Sequence, residues 1–347
     1  MSTAPTTAET RFPELDPEQR FGMIIDGRRV PAADGATFRC FDPYEESEWG
    51  YVPEASAEDV DRAVAAARAA QPAWAATSPF QRLAVFQRWA ALVRANVAQL
   101  ARIQVHENGK TRTEMMGATG SIVNAIEFCG HYATTLHGDT VTPMMPGHRA
   151  WTTRVPVGVV AAITPWNNPL GLLGWKLFPA LAAGNAVVVK PSEVTPVSTI
   201  RLVELAVEAG FPPGVISVVT GAGAAGAALV DHPGIDKIAF TGSTATGRRI
   251  AQAAAGRLIR TTLELGGKGA NIVFEDGDLD RAVDGVVVGI TAGTGQACNA
   301  GSRVLVQESV KEEFVAKLTA ALSALPVGDP LDPATAIGPI ASRPQYE

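Results

Sequence analysis

The amino-acid sequence predicts an α/β fold: a doubly wound parallel sheet followed by an incomplete second α/β unit. Short apolar segments of strand length recur after Trp151, each separated from the next by one helical segment, which is the pattern of βαβ units. The 347 residues are 46% hydrophobic and 18% charged, an ordinary globular balance, and the length accommodates about two domains. Glycine-bearing junctions at 221–226 and 242–247 fall where a strand passes into a helix, the place where such sheets meet their ligands.

Residues 1–20 are rich in Thr, Pro and Glu and are expected to be loose, with no basic-then-apolar pattern of a secretory signal. Met23 to Val30 reads as a hairpin turning near Asp26-Gly27. Ser56 and Asp59 form a capping pair that opens an Ala-rich helix running to about Ala70. Ser78-Pro79-Phe80-Gln81 is a second start signal, and its helix, with Leu83, Phe86, Leu92 and Val93 at helical spacing, is expected to end near Asn108-Gly109. A third helix is expected over Glu114 to Tyr132, with Ile122, Ile126 and Phe128 apolar. Beyond Trp151, strands are expected at Val157–Ile163, Ala186–Lys190, Ile216–Val219, Lys237–Phe240 and Ala270–Phe274. Helices at Trp175–Ala183, Pro196–Ala209, Gly226–Val230 and Thr246–Ala255 alternate with them. Val155 to Trp175 carries no charge, but its prolines, glycines and asparagines suit a buried strand and loop better than a lipid-exposed helix.

With 29 Lys+Arg against 35 Asp+Glu, the net charge of −6 argues against nucleic acid or an anionic membrane as the main partner. Cys40, Cys129 and Cys298 cannot all pair and form no metal-ligand cluster, so neither a disulfide scaffold nor a metal site is expected. Together these features point to a reduced, cytoplasmic protein.

Several segments can carry chemistry. Gly221-Ala222-Gly223-Ala224-Ala225-Gly226 matches a dinucleotide fingerprint, and equally matches a tight strand-to-helix turn. Phe240-Thr241-Gly242-Ser243 leads through Gly247 into the next helix, whose first amides can hold a pyrophosphate. Lys190-Pro191-Ser192-Glu193 closes a parallel strand at its ligand-facing end, where Glu193 can accept from ribose hydroxyls; a solvated surface is the plainer alternative. Cys298 lies among small polar residues that give access to its sulfur, whereas Cys40 and Cys129 read as buried hydrophobes. No histidine is patterned as its partner. Glu264, bracketed by apolar residues before Gly266-Gly267, is the candidate base if burial raises its pKa; alternatively it pairs with Lys268.

Taken in order, five segments resemble the NAD(P)-dependent aldehyde dehydrogenases: Thr164-Pro165-Trp166-Asn167-Asn168-Pro169, Lys190-Pro191-Ser192-Glu193, Phe240-Thr241-Gly242-Ser243, Leu263-Glu264-Leu265-Gly266-Gly267-Lys268 and Gly295-Gln296-Ala297-Cys298. The resemblance runs from about Ile25 to the end. It implies a Rossmann-like cofactor domain over 1–266, interrupted by a bridging segment at about 138–155, and a partial catalytic domain over 267–347. It implies that Cys298 attacks an aldehyde, that Asn167 and the Cys298 amide hold the oxyanion, and that Glu264 activates water on the thioester. It further assigns the adenosine ribose to Lys190 and Glu193, with Ser192 beside them. The pyrophosphate falls to Gly242, Ser243 and Gly247, and the cofactor cleft to Thr164, Pro165, Trp166 and Leu265, leaving Gly221–Gly226 a lesser role near the adenine. Glu193 favours NAD over NADP by repelling a 2′-phosphate. The alternatives are acyl transfer to coenzyme A, or an inactive NAD-binding module. Such enzymes run well past their catalytic cysteine, so the chain is expected to be C-terminally truncated, lacking a second Glu motif and the oligomerisation strand; a homo-oligomer is implied for a full-length member. About two strands and two helices are expected after Gly267. Trp175, Phe178 and Asn299 are candidate neighbours of the aldehyde, with core packing the alternative for both aromatics.

Overall fold

The computed structural model describes residues 16–347, so most of the N-terminal stretch expected to be loose lies outside the described residues. The chain begins with β1 (Met23–Ile25) and β2 (Arg28–Val30), a hairpin whose turn residues Asp26 and Gly27 have φ of 52° and 69°, the primed geometry that Asp-Gly favours. A separate antiparallel pair follows, β3 (Thr37–Asp42) and β4 (Ser47–Pro53). Four helices come next: α1 (Ala57–Ala75), α2 (Pro79–Ala95), α3 (Val97–Asn108) and α4 (Arg112–Tyr132). Capping boxes open three of them, at Ser56/Asp59, Ser78/Gln81 and Thr111/Glu114.

The single helix expected from Pro79 to Asn108 is two. Asn96 leaves helical geometry at φ −115°, and its amide donates to Leu92 O at 2.8 Å, so a local side-chain bond replaces the helical ladder. The expected bridging segment carries a small ribbon, β5 (Thr140–Val141) with β6 (Ala150–Trp151).

The alternating half follows as β7 (Val159–Ile163), α5 (Pro169–Ala182), β8 (Ala186–Lys190), α6 (Val197–Ala209), β9 (Ile216–Val218), α7 (Gly223–Asp231), β10 (Lys237–Gly242), α8 (Thr244–Arg257) and β11 (Arg260–Leu265). The sheet order is β11-β10-β7-β8-β9-β1-β2; β7 to β11 are mutually parallel, and the antiparallel hairpin extends one edge. Alternate residues of β7 supply two cores. Val160 and Ala162 pack with the layer of α2, α5 and α6, while Val159, Ala161 and Ile163 face that of α1, α7 and α8. Burial on both faces explains why β7 and β8 read as unbroken apolar runs.

After Gly267 come β12 (Ala270–Val273), α9 (Leu279–Thr291), β13 (Arg303–Val306) and α10 (Lys311–Ser323), the two strands and two helices expected there, with β12 and β13 parallel, and a further short helix, α11 (Arg343–Tyr346). The small core of this part centres on Val273, Val283, Val286 and Phe314.

One buried charge-bearing group braces the larger core. Glu107, at the end of α3, accepts from Val197 N at 2.5 Å and Ser198 N at 3.3 Å, so it caps α6, which has no side-chain cap of its own. Complete burial pushes its carboxyl up to about 8, while the two backbone donors pull it down. The folded state therefore holds a proton that the unfolded chain releases above about 4.5, so this group's stabilisation is full below that pH and declines until pH passes about 8. In thermal melts, the wild type should lose more stability than Glu107→Gln between pH 5 and 9. Glu107→Ala should lose about 1–3 kcal/mol near pH 5 by stranding buried donors, and less as pH rises toward 9.

Candidate functional site

Strand order reverses beside β7: the chain moves outward through β8 and β9, then returns to place β10 and β11 on the other side. Ligands bind outside the carboxyl ends of the strands at such a switch point. A cleft of about 630 Å³ opens there, lined by Thr164, Pro165 and Trp166 after β7, by Lys190, Ser192 and Glu193 after β8, and by Thr241, Gly242 and Ser243 at the end of β10. Eight of the ten residues that the family resemblance assigns to the cofactor are thus neighbours in space. The other two, Gly247 and Leu265, touch each other: a Cβ on Gly247 would stand 2.5 Å from Leu265 Cδ2, so glycine lets α8 approach β11. Leu265 accordingly buttresses the helix that borders the cleft, and neither residue is part of the cleft lining.

Charges in the cleft are built in. Lys190 is buried and reaches Glu193 at 3.4 Å; burial pushes its ammonium pKa down, and Glu193 partly offsets this. The solvated-surface alternative fails for Lys190 and holds in part for Glu193, whose side chain is half exposed. Thr164 Oγ1 is buried without a hydrogen-bond partner. Ser243 caps α8 by accepting from Thr246 N.

The two glycine junctions differ in one decisive respect. At the start of α7, Glu54 Oε1 accepts from Ala222 N at 2.9 Å and would lie 2.9 Å from a Cβ on Gly221. The protein's own carboxylate stands where an anion would bind, so the textual fingerprint is a turn held by Glu54. Gly223 and Gly226 line the cleft wall. At the start of α8 the cap is the uncharged Ser243, which accepts from Thr246 N.

Cys298 is exposed, Cys40 buried and Cys129 intermediate, which places the accessible thiol where the sequence reading put it. The loop before Cys298 is pinned to the α5 start: Asn167 Nδ2 donates to Gln296 O at 2.8 Å. A Cβ on Gly267 would lie 3.0 Å from Cys298 O, so the segment following Glu264 passes against the cysteine backbone. The expectation that Glu264 is buried is corrected: it is exposed, because β11 is an edge strand. The Lys268 alternative is also replaced, since Lys268 Nζ donates to Gly267 O at 3.2 Å. Glu264 instead lies opposite Thr241 in the strand register, and Thr241 accepts from the buried ammonium of Lys176. Burial pushes the Lys176 pKa down, and the Glu264 charge pulls it back up. Lys176 went unremarked in the sequence because a lone Lys inside an apolar helix carries no motif. Of the aromatics, Phe178 is core at 1% exposure and Trp175 is solvent-facing at 81%; Asn299 is exposed.

The family model described as "Aldehyde dehydrogenase family" matches residues 30–347. An aldehyde dehydrogenase of Emericella nidulans is 42% identical over 350 aligned positions, covering 100% of this chain and 70% of the fungal protein. The solved NAD-dependent aldehyde dehydrogenase of Sinorhizobium meliloti superposes with a TM-score of 0.92 at 39% identity, covering 99% of this chain and 68% of that one. An E. coli NADP-dependent enzyme gives a TM-score of 0.92 at 37% identity, over 94% of this chain and 68% of its own.

Thr164→Val removes the orphaned hydroxyl while keeping its shape. It should leave the ligand-free chain as stable as wild type or more so, by about 1 kcal/mol, while weakening dinucleotide binding; paired thermal melts with and without NAD check both parts.

Proposed function

The chain belongs to the aldehyde dehydrogenase family, and on that premise we propose that it oxidises an aldehyde to a carboxylic acid, with NAD as hydride acceptor and Cys298 as the covalent nucleophile. The observation that carries this reading is the Asn167–Gln296 bond, which ties the residue following cleft-lining Trp166 to the loop of the exposed cysteine.

The cleft suits a dinucleotide: a buried cation and a carboxylate at one strand end, a glycine-bearing helix start, and an unpartnered hydroxyl. Lys190, Ser192 and Glu193 would hold the adenosine ribose; Gly242 and Ser243, with Gly247 behind them, would border the pyrophosphate; Thr164, Pro165 and Trp166 would line the way to the nicotinamide. When bound, NAD supplies the acceptor for the hydride that leaves the aldehyde carbon.

The protein's own residues do the rest. The Cys298 sulfur, as thiolate, forms a bond to the carbonyl carbon, and the electron pair of the C=O moves to oxygen, giving a thiohemiacetal. The Asn167 amide and the Cys298 N–H stabilise that oxyanion. Once oxidised, the acyl group remains on Cys298 as a thioester. Glu264 takes a proton from water, whose oxygen attacks the acyl carbon and releases the acid and the thiolate. The exposure of Glu264 suits a base that must reach water. On this reading residues 1–266 form the cofactor-binding part, with the ribbon at 138–155 as its bridge, and residues 267–347 carry the nucleophile.

Glu193 disfavours a 2′-phosphate by charge, so NAD is the proposed cofactor; Glu193→Ser should raise the NADP/NAD ratio of kcat/KM at least tenfold. Mixing the chain with NAD and a panel of aldehydes should yield reduced cofactor, with none from Cys298→Ala. Glu264→Gln should give about one equivalent of reduced cofactor per chain and then stall, and Asn167→Ala should lower kcat by about 10²–10³. Acceleration of the stalled variant by coenzyme A would point to acyl transfer. Binding of NAD with no turnover of any aldehyde would point to a binding module.

A further inference from the structure

Immediately before Cys298 the backbone takes a form that L-residues avoid. Gly293, Thr294 and Gly295 have φ of 61°, 59° and 70°, three successive left-handed residues, and Thr294 is β-branched. Such a conformation costs about 1–3 kcal/mol at a non-glycine residue and persists only where its surroundings impose it.

The restraint comes from the start of α4. Glu114 Oε1 accepts from Gly293 N at 2.6 Å, while its other oxygen accepts from Thr111 N and Oγ1 at 3.2 and 3.1 Å. The carboxylate therefore closes a capping box and grips the loop at once. Lys110, buried at 8% exposure, lays its ammonium against the same residue, 2.6 Å from where a Gly293 Cβ would stand. On the far side, Thr294 Oγ1 donates to Gly338 O at 3.4 Å, and Ala341 N donates to Gln296 Oε1 at 3.0 Å. The grip is transmitted forward: Gln296 N donates back to Gly293 O at 3.1 Å, and Gln296 O receives the Asn167 amide at 2.8 Å.

We propose that Glu114, seated beside Lys110, is a positioning residue for the nucleophile: by holding Gly293 it imposes the left-handed turn that presents Gln296 O to Asn167 and so fixes the loop that carries Cys298. This rests on Cys298 being the nucleophile, but the grip itself can be tested without turnover. A helix cap alone would account for the Thr111 bonds and would leave the Gly293 bond without consequence.

The test compares Glu114→Ala, Glu114→Gln and Thr111→Ala, each checked for folding by thermal melt. Hydrogen–deuterium exchange of peptides spanning 290–298 is measured without ligand, and kcat and KM are measured with NAD and the best aldehyde of the panel. Glu114→Ala should speed exchange at 292–297 at least tenfold and lower kcat at least tenfold with KM for NAD within about twofold. Glu114→Gln, which keeps an acceptor oxygen, should recover most of both. Thr111→Ala should speed exchange in the first turn of α4 and leave 292–297 unchanged. Equal loop exchange in Glu114→Ala and Thr111→Ala, or no change in either, would overturn the proposal. A wild type that turns over no aldehyde would instead refute the proposed function, with the exchange comparison still deciding this one.

Discussion

A 2.8 Å hydrogen bond from Asn167 Nδ2 to Gln296 O joins the loop after β7 to the loop that bears Cys298. The first belongs to the switch point of the parallel sheet, where strand order makes a crevice unavoidable; the second belongs to the smaller part built on β12 and β13. The first part holds the cleft, and the second holds the exposed thiol. Covalent chemistry on a bound aldehyde needs the two in one place, with the amide oriented at the charge that develops. Three features fix the loop that bears Cys298: the Asn167 bond, the approach of Gly267 to Cys298 O, and the left-handed turn at 293–295 held from α4.

Local charge distinguishes the two helix starts that border the cleft. Helices α7 and α8 both follow glycine-bearing turns, and both open onto the cleft. Glu54 satisfies an amide at the α7 turn and makes that end electronegative, whereas Ser243 leaves the α8 end uncharged. Charge also governs Lys190: burial lowers the pKa of its ammonium, and Glu193 at 3.4 Å makes the buried charge tolerable at the cleft wall.

Much of this was legible in residue order. The βαβ alternation, the Asp-Gly hairpin, the Ser56 and Ser78 caps and the elements after Gly267 depend on local chemistry, and the structure has them, although α5 begins at Pro169 where Trp175 was expected and the strand β11 was not expected. The exposed thiol could also be read, because small polar neighbours leave a sulfur accessible. The break at Asn96 could not, since apolar spacing continues across it while one side-chain bond interrupts the ladder. The exposure of Glu264 depends on β11 being an edge, a fact of topology that apolar neighbours in sequence concealed. Lys176, Glu107 and Glu114 act through partners 65, 90 and 179 positions away, beyond any motif.

The most direct measurement is to find where the acyl group sits. Glu264→Gln is incubated with NAD and an oxidisable aldehyde, quenched in acid, digested, and mapped by mass spectrometry. An acyl adduct confined to the peptide containing Cys298 is the predicted result. An adduct on Cys129 or Cys40, or reduced cofactor formed with no acylated cysteine at all, would contradict it.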